Sequence, residues 1–235
     1  MELKDAVVLI TGANRGLGLA FAREALARGA RKVYAAARDP DTVTLAGVVP
    51  LRLDVNRPED VAAAAAQCGD VTLLINNAGI AQAGALLDEG SIEATRTHFE
   101  TNVIGVLRLS QAFAPILKAN GGGGVLNVLS VVSWIGSPAL ATYAISKAAT
   151  WSLTNGLRLE LQAQNTQVLG LHMGFVDTDM ARGFDMPKTA PEVIAARALD
   201  ALAQGLDEVM GDEITQQVKQ SLSSDRPAYL PAQAS

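Results

Sequence analysis

Cysteine, histidine, aromatic residues and surplus positive charge are all scarce in this chain, and each scarcity excludes something. A single cysteine, Cys68, among 235 residues leaves no intramolecular disulfide to form, which fits a reducing compartment. The two histidines, His98 and His172, show no metal-ligand clustering, so structural roles and no bound metal are expected. With a formal net charge of −5, the chain lacks the basic surface that nucleic acid or an anionic membrane would need. No run reaches the roughly 18 apolar residues of a membrane span. The opening residues, Met1 to Asp5, carry neither the apolar stretch nor the cleavage site of a signal peptide. A cytoplasmic protein is expected. Aromatics make up only 4%, so any core must be built from Ala, Val and Leu.

What is present is a composition of 49% hydrophobic and 18% charged residues, that of a globular protein with a large core. One domain spanning 1–235 is expected. Six short apolar runs read as strands: Ala6–Ile10, Lys32–Ala36, Val48–Leu53, Val71–Ile75, Val125–Leu129 and Gln167–Leu171. Their lack of polar alternation suits a parallel sheet covered on both faces. Helical stretches lie between and after them, at about 17–28, 58–67, 92–118, 141–163 and 191–203. Leu17, Ala20, Phe21 and Ala25 share one face of the first. Asn56 followed by Glu59 predicts a capped start for the second, with Pro58 in its first turn. Gly121–Gly124 reads as a flexible connector. Glu208–Asp212 reads as a short last strand before an amphipathic segment reaching about Leu222, and 223–235 as a frayed tail. The repeated β-α-β pattern predicts a doubly wound, Rossmann-type α/β fold with helices on both faces of one parallel sheet.

Directly after the first strand stands Thr11-Gly12-Ala13-Asn14-Arg15-Gly16-Leu17-Gly18. Glycines between a strand and a helix let a pyrophosphate approach the backbone N–H groups at the helix start. The spacing is Gly-x-x-x-Gly-x-Gly with a preceding threonine, which resembles the short-chain dehydrogenase/reductase family. About 20 residues on, an acid at the end of the second strand would accept the ribose 2′-OH of NAD. The chain instead has Ala35-Ala36-Ala37-Arg38. Arg38 and Arg15 can surround a 2′-phosphate with charge-assisted bonds, so NADP(H) is the expected cofactor.

Further motifs extend the resemblance. It implies that Asp54 lies beside the adenine, with Val55 following. Asn76-Asn77-Ala78-Gly79 matches the family's Asn-Asn-Ala-Gly motif, Asn76 being structural and Asn77, Ala78 and Gly79 lining the cofactor cleft. In Tyr143-Ala144-Ile145-Ser146-Lys147 the four-residue separation places Tyr143 and Lys147 one turn apart on one helical face. A phenol titrates near 10, and an adjacent ammonium or an oxidised nicotinamide lowers that value. Ser130, thirteen residues earlier, matches the family serine that holds the substrate oxygen; Ser133 is the nearby alternative. Asn102 matches an asparagine that bends a long helix and anchors a water near the lysine.

The resemblance therefore implies reversible carbonyl reduction. Tyr143 gives the proton, Ser130 orients the oxygen, Lys147 binds the nicotinamide ribose and keeps Tyr143 acidic, and Asn102 completes a relay to solvent. Gly174, Val176, Thr178 and Met180 fit the segment after the sixth strand, with Val176 and Thr178 expected at the carboxamide. Met173 stands where the family has proline.

The cofactor half is placed at about 1–120 and the catalytic and substrate part at about 121–222. Gln82, Trp134, Phe175, Phe184 and Met186 either line the substrate pocket or pack the core and lid. The apolar faces of 92–118 and 141–163 resemble family helices that pair between subunits, implying a homodimer or homotetramer. Two other readings stay open: a catalytically silent NADP(H)-binding regulator, and a dehydrogenase working mainly toward oxidation.

Overall fold

Five consecutive buried residues make the first strand, β1 (Val7–Thr11), and an apolar run covered on both faces belongs inside a parallel sheet. The structure, a computed structural model, describes residues 1–231. Among them the strands are β1, β2 (Lys32–Ala37), β3 (Val49–Arg52), β4 (Leu73–Asn76), β5 (Gly123–Val128), β6 (Thr166–His172) and β7 (Glu208–Met210). They form one sheet in the order β3-β2-β1-β4-β5-β6-β7, and every neighbouring pair is parallel. This is the expected Rossmann-type architecture.

Among the described residues seven α-helices accompany the strands: α1 (Gly16–Ala27), α2 (Pro58–Gln67), α3 (Ser91–Phe99), α4 (Gly105–Ala119), α5 (Ala141–Leu161), α6 (Pro191–Ala203) and α7 (Glu213–Ser221). The strand side chains divide between two apolar layers. One packs Val8, Ile10 and Leu126 against residues of α1 and α6, such as Phe21 and Leu199. The other packs Leu9, Leu74 and Val125 against residues of α2, α4 and α5, such as Phe113 and Leu157. Leu17, Ala20, Phe21 and Ala25 are all buried, so the predicted face of α1 is the one that docks.

The structure differs from expectation at four places. The stretch 92–118 is not one helix: a π-helical segment, Glu100–Ile104, separates α3 from α4. Asn56 does not cap α2. Arg57 occupies the cap position, and the Asn56 amide bonds Thr101 Oγ1 at 3.0 Å instead. The strand end is tied by neighbouring carboxylates, Asp60 accepting from Asp54 N and Asp54 from Asn56 N.

The four-glycine run is packed rather than a free connector. Gly123 begins β5 at φ 144°, and a Cβ there would sit 2.1 Å from the Thr72 carbonyl oxygen. The described part of the tail makes turns, with Pro227 buried and Ala228 N bonded to Ser221 Oγ; 232–235 lie outside the described residues. Among the described residues, no helix is long and apolar enough to cross a membrane.

In the strand order the chain leaves β1 in opposite directions, toward β2 on one side and β4 on the other. A crevice outside the carboxyl ends of the strands opens at such a switch point. The turns after β1, β4, β5 and β6 all face it, and they carry most of the expected site.

Candidate functional site

The glycine loop forms a cradle because no side chain fits there. Gly12 and Gly16 have φ of 65° and 54°, the left-handed region that disfavours a Cβ. At Gly18 a Cβ would lie 2.1 Å from the Gly12 carbonyl oxygen and 2.6 Å from Asn77 Nδ2. Asn77 Nδ2 donates to the Thr11 and Gly12 carbonyls at 2.8 and 3.2 Å. Thr11 Oγ1 accepts from the backbone N–H of Asn77 and of Ala78. Asn77 therefore locks the loop to β4, while Asn76, buried, bonds Asn127 across the sheet at 2.8 Å. The exposed backbone at the start of α1 fits a dinucleotide pyrophosphate.

Arg38 is exposed at the end of β2. Arg15, also exposed, reaches Asp179 at 3.5 Å, and Asp179 in turn pairs with Arg182. This link between the glycine loop and the segment after β6 had no sequence signal, since Asp179 lies 164 residues from Arg15. Asn14 bonds Thr42 Oγ1 at 3.1 Å. Asp54 accepts from Asn56 N, while Val55 packs on Gly105. Leu17 is buried in α1, and Gly79 sits against Asn102.

Tyr143 and Lys147 lie one turn apart near the start of α5, with Lys147 Nζ 5.7 Å from the phenol ring centre. Lys147 is only 6% exposed and donates to the Val128 carbonyl at 2.7 Å. Burial lowers its pKa to about 8. Burial also pushes the Tyr143 phenol up to about 12, with the Ser130 hydroxyl alone pulling the other way. The Lys147 ammonium gives one of its three hydrogens to the Val128 carbonyl, and at the phenol desolvation outweighs the serine.

Asn102 sits in the π segment, buried. Its Oδ1 accepts from Ile80 N at 2.9 Å, and its Nδ2 donates to Ile80 O and Ser146 Oγ, both at 3.0 Å. The side chain has no hydrogen to spare for a relay. Its main-chain carbonyl accepts from Thr150 Oγ1 at 2.9 Å. Ser130 follows β5 and caps the short turn Val131–Ser133. Ser133 turns back and accepts from Ser130 N at 3.4 Å.

The cost of burying Lys147 has a measurable sign. Below about pH 8 the lysine is charged in both states, and the folded form bears the full penalty, about 3 kcal/mol. Between that value and the ordinary 10.5 the unfolded chain holds the extra proton, so stability rises with pH. Urea melts at pH 7 and pH 10 should show wild type gaining on Lys147→Met by a few kcal/mol. An unchanged gap would contradict the penalty.

After β6, Gly174 N donates to Asp212 Oδ2 at 2.6 Å. Asp212, the α7 cap, also accepts from Thr215 N and Oγ1 at 2.8 Å. A carboxylate from the C-terminal segment thereby braces the turn where Met173 replaces proline. Val176 is buried and bridges Thr189, and Thr178 packs on Gly16.

Of the expected pocket residues, Phe175 and Phe184 stack at 5.0 Å, and Phe175 lines a cavity of about 210 Å³ with Lys188 and Ile214. Gln82 and Met186 are exposed. Trp134, half-buried, stacks on His172 at 3.8 Å. His98, expected to be structural, is buried with its ring centre 6.0 Å from that of Tyr143. It accepts from Gln82 N at 3.0 Å and meets Thr142 Oγ1 at 3.1 Å.

The family model for short chain dehydrogenases matches residues 6–188. The 3-oxoacyl-(acyl-carrier-protein) reductase of Vibrio cholerae is 30% identical, over 81% of this chain and 82% of that protein. A short chain dehydrogenase from Burkholderia cenocepacia, solved in complex with NADP, is 39% identical with a TM-score of 0.92, covering 96% of this chain and 95% of its own. A short chain dehydrogenase/reductase from Burkholderia phymatum, solved with NAD, is 26% identical with a TM-score of 0.84 and full coverage of both chains. With its glycine cradle at the switch point of a seven-stranded parallel sheet, the chain belongs to the short-chain dehydrogenase/reductase family, oxidoreductases that work with a nicotinamide dinucleotide.

Proposed function

We propose that the protein is an NADPH-dependent reductase that converts a ketone or aldehyde carbonyl to an alcohol, acting through Ser130, Tyr143, Lys147 and Asn102. The observation that carries this reading is the pair formed by the half-buried phenol of Tyr143 and the buried ammonium of Lys147, 5.7 Å from its ring centre, on a helix whose start faces the cofactor crevice. A phenol is protonated at neutral pH and can give its proton to a carbonyl oxygen, which is what reduction requires.

When bound, NADPH supplies the hydride. The backbone of Gly12–Gly18 would hold its pyrophosphate, Asp54 and Val55 would flank the adenine, and Ala78 and Gly79 would line the ribose. Gly174, Val176 and Thr178 would edge the nicotinamide. Ser130 and Tyr143 would both hydrogen-bond the carbonyl oxygen, and Tyr143 would pass its proton to that oxygen as negative charge develops there. Lys147, between the Val128 carbonyl and the ribose, would supply positive charge beside the phenol. The Asn102 carbonyl would return a proton from solvent through water.

The test is a panel of acetophenone, cyclohexanone, ethyl acetoacetate and an acetoacetyl thioester, each mixed with NADPH and followed by loss of the nicotinamide absorbance. Substrate-dependent oxidation supports the reading. Tight NADPH binding with no turnover on any of them would favour the silent regulator.

For the cofactor, Arg15 and Arg38 are the exposed cations at the glycine loop and the end of β2, and no carboxylate takes the position before Arg38. Arg38→Asp should weaken NADPH binding by about 3 kcal/mol, roughly a hundredfold, through lost charge-assisted bonds and added repulsion. NADH binding should change little. Equal losses in titrations of both would overturn the preference.

A homodimer or homotetramer is the proposed assembly, supported by the apolar Ile145 and Leu159 exposed on α5 and by Ile104 beside α4. Cytoplasmic residence is supported by the lone Cys68, which leaves no intramolecular disulfide to form.

A further inference from the structure

We propose that the C-terminal segment β7–α7 positions Ser130 through His172, with Lys219 deciding which nitrogen of that ring carries the proton. The proposal rests on the reading of Ser130 as the group that orients the substrate oxygen.

Ser130 is not held by its own side chain. Within its own turn the hydroxyl makes two long contacts, donating to Met173 O and accepting from Val132 N, both at 3.4 Å. Its carbonyl, by contrast, lies 3.2 Å from His172 Nδ1 at the end of β6. A carbonyl can only accept, so this contact is a hydrogen bond when Nδ1 carries the hydrogen. The other nitrogen, Nε2, is buried without a hydrogen-bond partner among the described residues, and it faces the Glu208 carboxylate at 3.6 Å.

His172 therefore sits between two acceptors. Burial keeps its ring neutral at ordinary pH, so one hydrogen must serve one side or the other. A bare carboxylate at Nε2 would draw the hydrogen to that nitrogen, leaving a lone pair on Nδ1 to repel the Ser130 carbonyl.

Lys219 of α7 removes that competition. Its ammonium bonds the other Glu208 oxygen at 2.7 Å, and Trp151 Nε1 donates to the oxygen facing His172 at 3.0 Å. The same ammonium lies 4.7 Å from the centre of the Trp134 ring, which stacks on His172. Trp134 directly follows the turn that Ser130 caps. A continuous chain of contacts thus runs from the Lys219–Glu208 pair through His172 and Trp134 to Ser130. His172 and Lys219 touch neither substrate nor cofactor in this scheme; they are positioning residues.

The test measures steady-state reduction of the fastest ketone in the panel, with active sites counted by NADPH titration so that only folded enzyme is compared. Lys219→Met should lower kcat on the order of tenfold, with KM for NADPH unchanged. Adding Glu208→Gln removes the competing carboxylate and should restore kcat to near wild type, a rescue that loss of packing or of an ion pair does not produce. In a Ser130→Ala background, Lys219→Met should cost nothing further. An unaltered kcat in Lys219→Met, a loss that Glu208→Gln fails to restore, or an equal loss without the serine would each overturn the proposal. Full activity in Ser130→Ala would instead overturn the reading on which it stands.

Discussion

Tyr143→Phe should abolish turnover while the cofactor still binds. The phenol is the acidic group beside the Ser130 hydroxyl, and burial keeps it protonated. Removing one oxygen takes away the proton donor and one of the two hydrogen bonds to the developing oxyanion. General acid catalysis alone contributes roughly 10² to 10⁴ in rate, so a loss of about a thousandfold or more is expected.

The ring itself stays, and with it the edge contact to His98. The glycine loop, Asn77 and the Gly174 turn do not involve the hydroxyl. Energy transfer from the two tryptophans, Trp134 and Trp151, to bound NADPH should therefore be unchanged. A variant that keeps a rate within about tenfold of wild type would show that the proton comes from elsewhere, since that is less than a positioned acid supplies.

The second large effect is expected at Gly18. A methyl group there would sit 2.1 Å from the Gly12 carbonyl oxygen and 2.8 Å from the Gly12 carbonyl carbon, both backbone atoms. It would also crowd Asn77 Nδ2, the group that ties the loop to β4. Neither neighbour can swing aside, so α1 and the loop must separate. Gly18→Ala should cost about 3 kcal/mol of stability and remove NADPH binding.

Gly16 makes the comparison informative. A Cβ at Gly16 meets only the Thr178 methyl, at 3.2 Å, and its main cost is the positive φ, about 1 kcal/mol. Urea melts of both variants should rank Gly18→Ala well below Gly16→Ala. Equal stabilities would mean that the loop moves freely on α1, against the contacts described.

Much of the fold could be read along the chain because parallel strands and their helices announce themselves locally. Buried runs such as Val7–Thr11 have no polar alternation, and α2, α5 and α6 each start within a residue of expectation. The motif spacings likewise pointed to Thr11–Gly18, Ser130, Tyr143 and Lys147, since a turn or a helix translates spacing directly into geometry.

The misreadings share one cause, which is competition from residues distant in sequence. Asn56 had a cap's composition, but Thr101 took its amide. The long helix at 92–118 had good propensity throughout, yet Asn102, tied to Ile80 and Ser146, sits where the backbone widens into a π turn.

Local sequence by itself determined the order of strands and helices, the glycine cradle and the tyrosine–lysine turn, because each depends on residues a few positions apart. Only the tertiary structure decided the state of the phenol, the bracing of Gly174 by Asp212 and the setting of His172 between Ser130 and Glu208. Those depend on burial and on hydrogen bonds spanning up to 42 residues, distances over which a chain carries no local pattern.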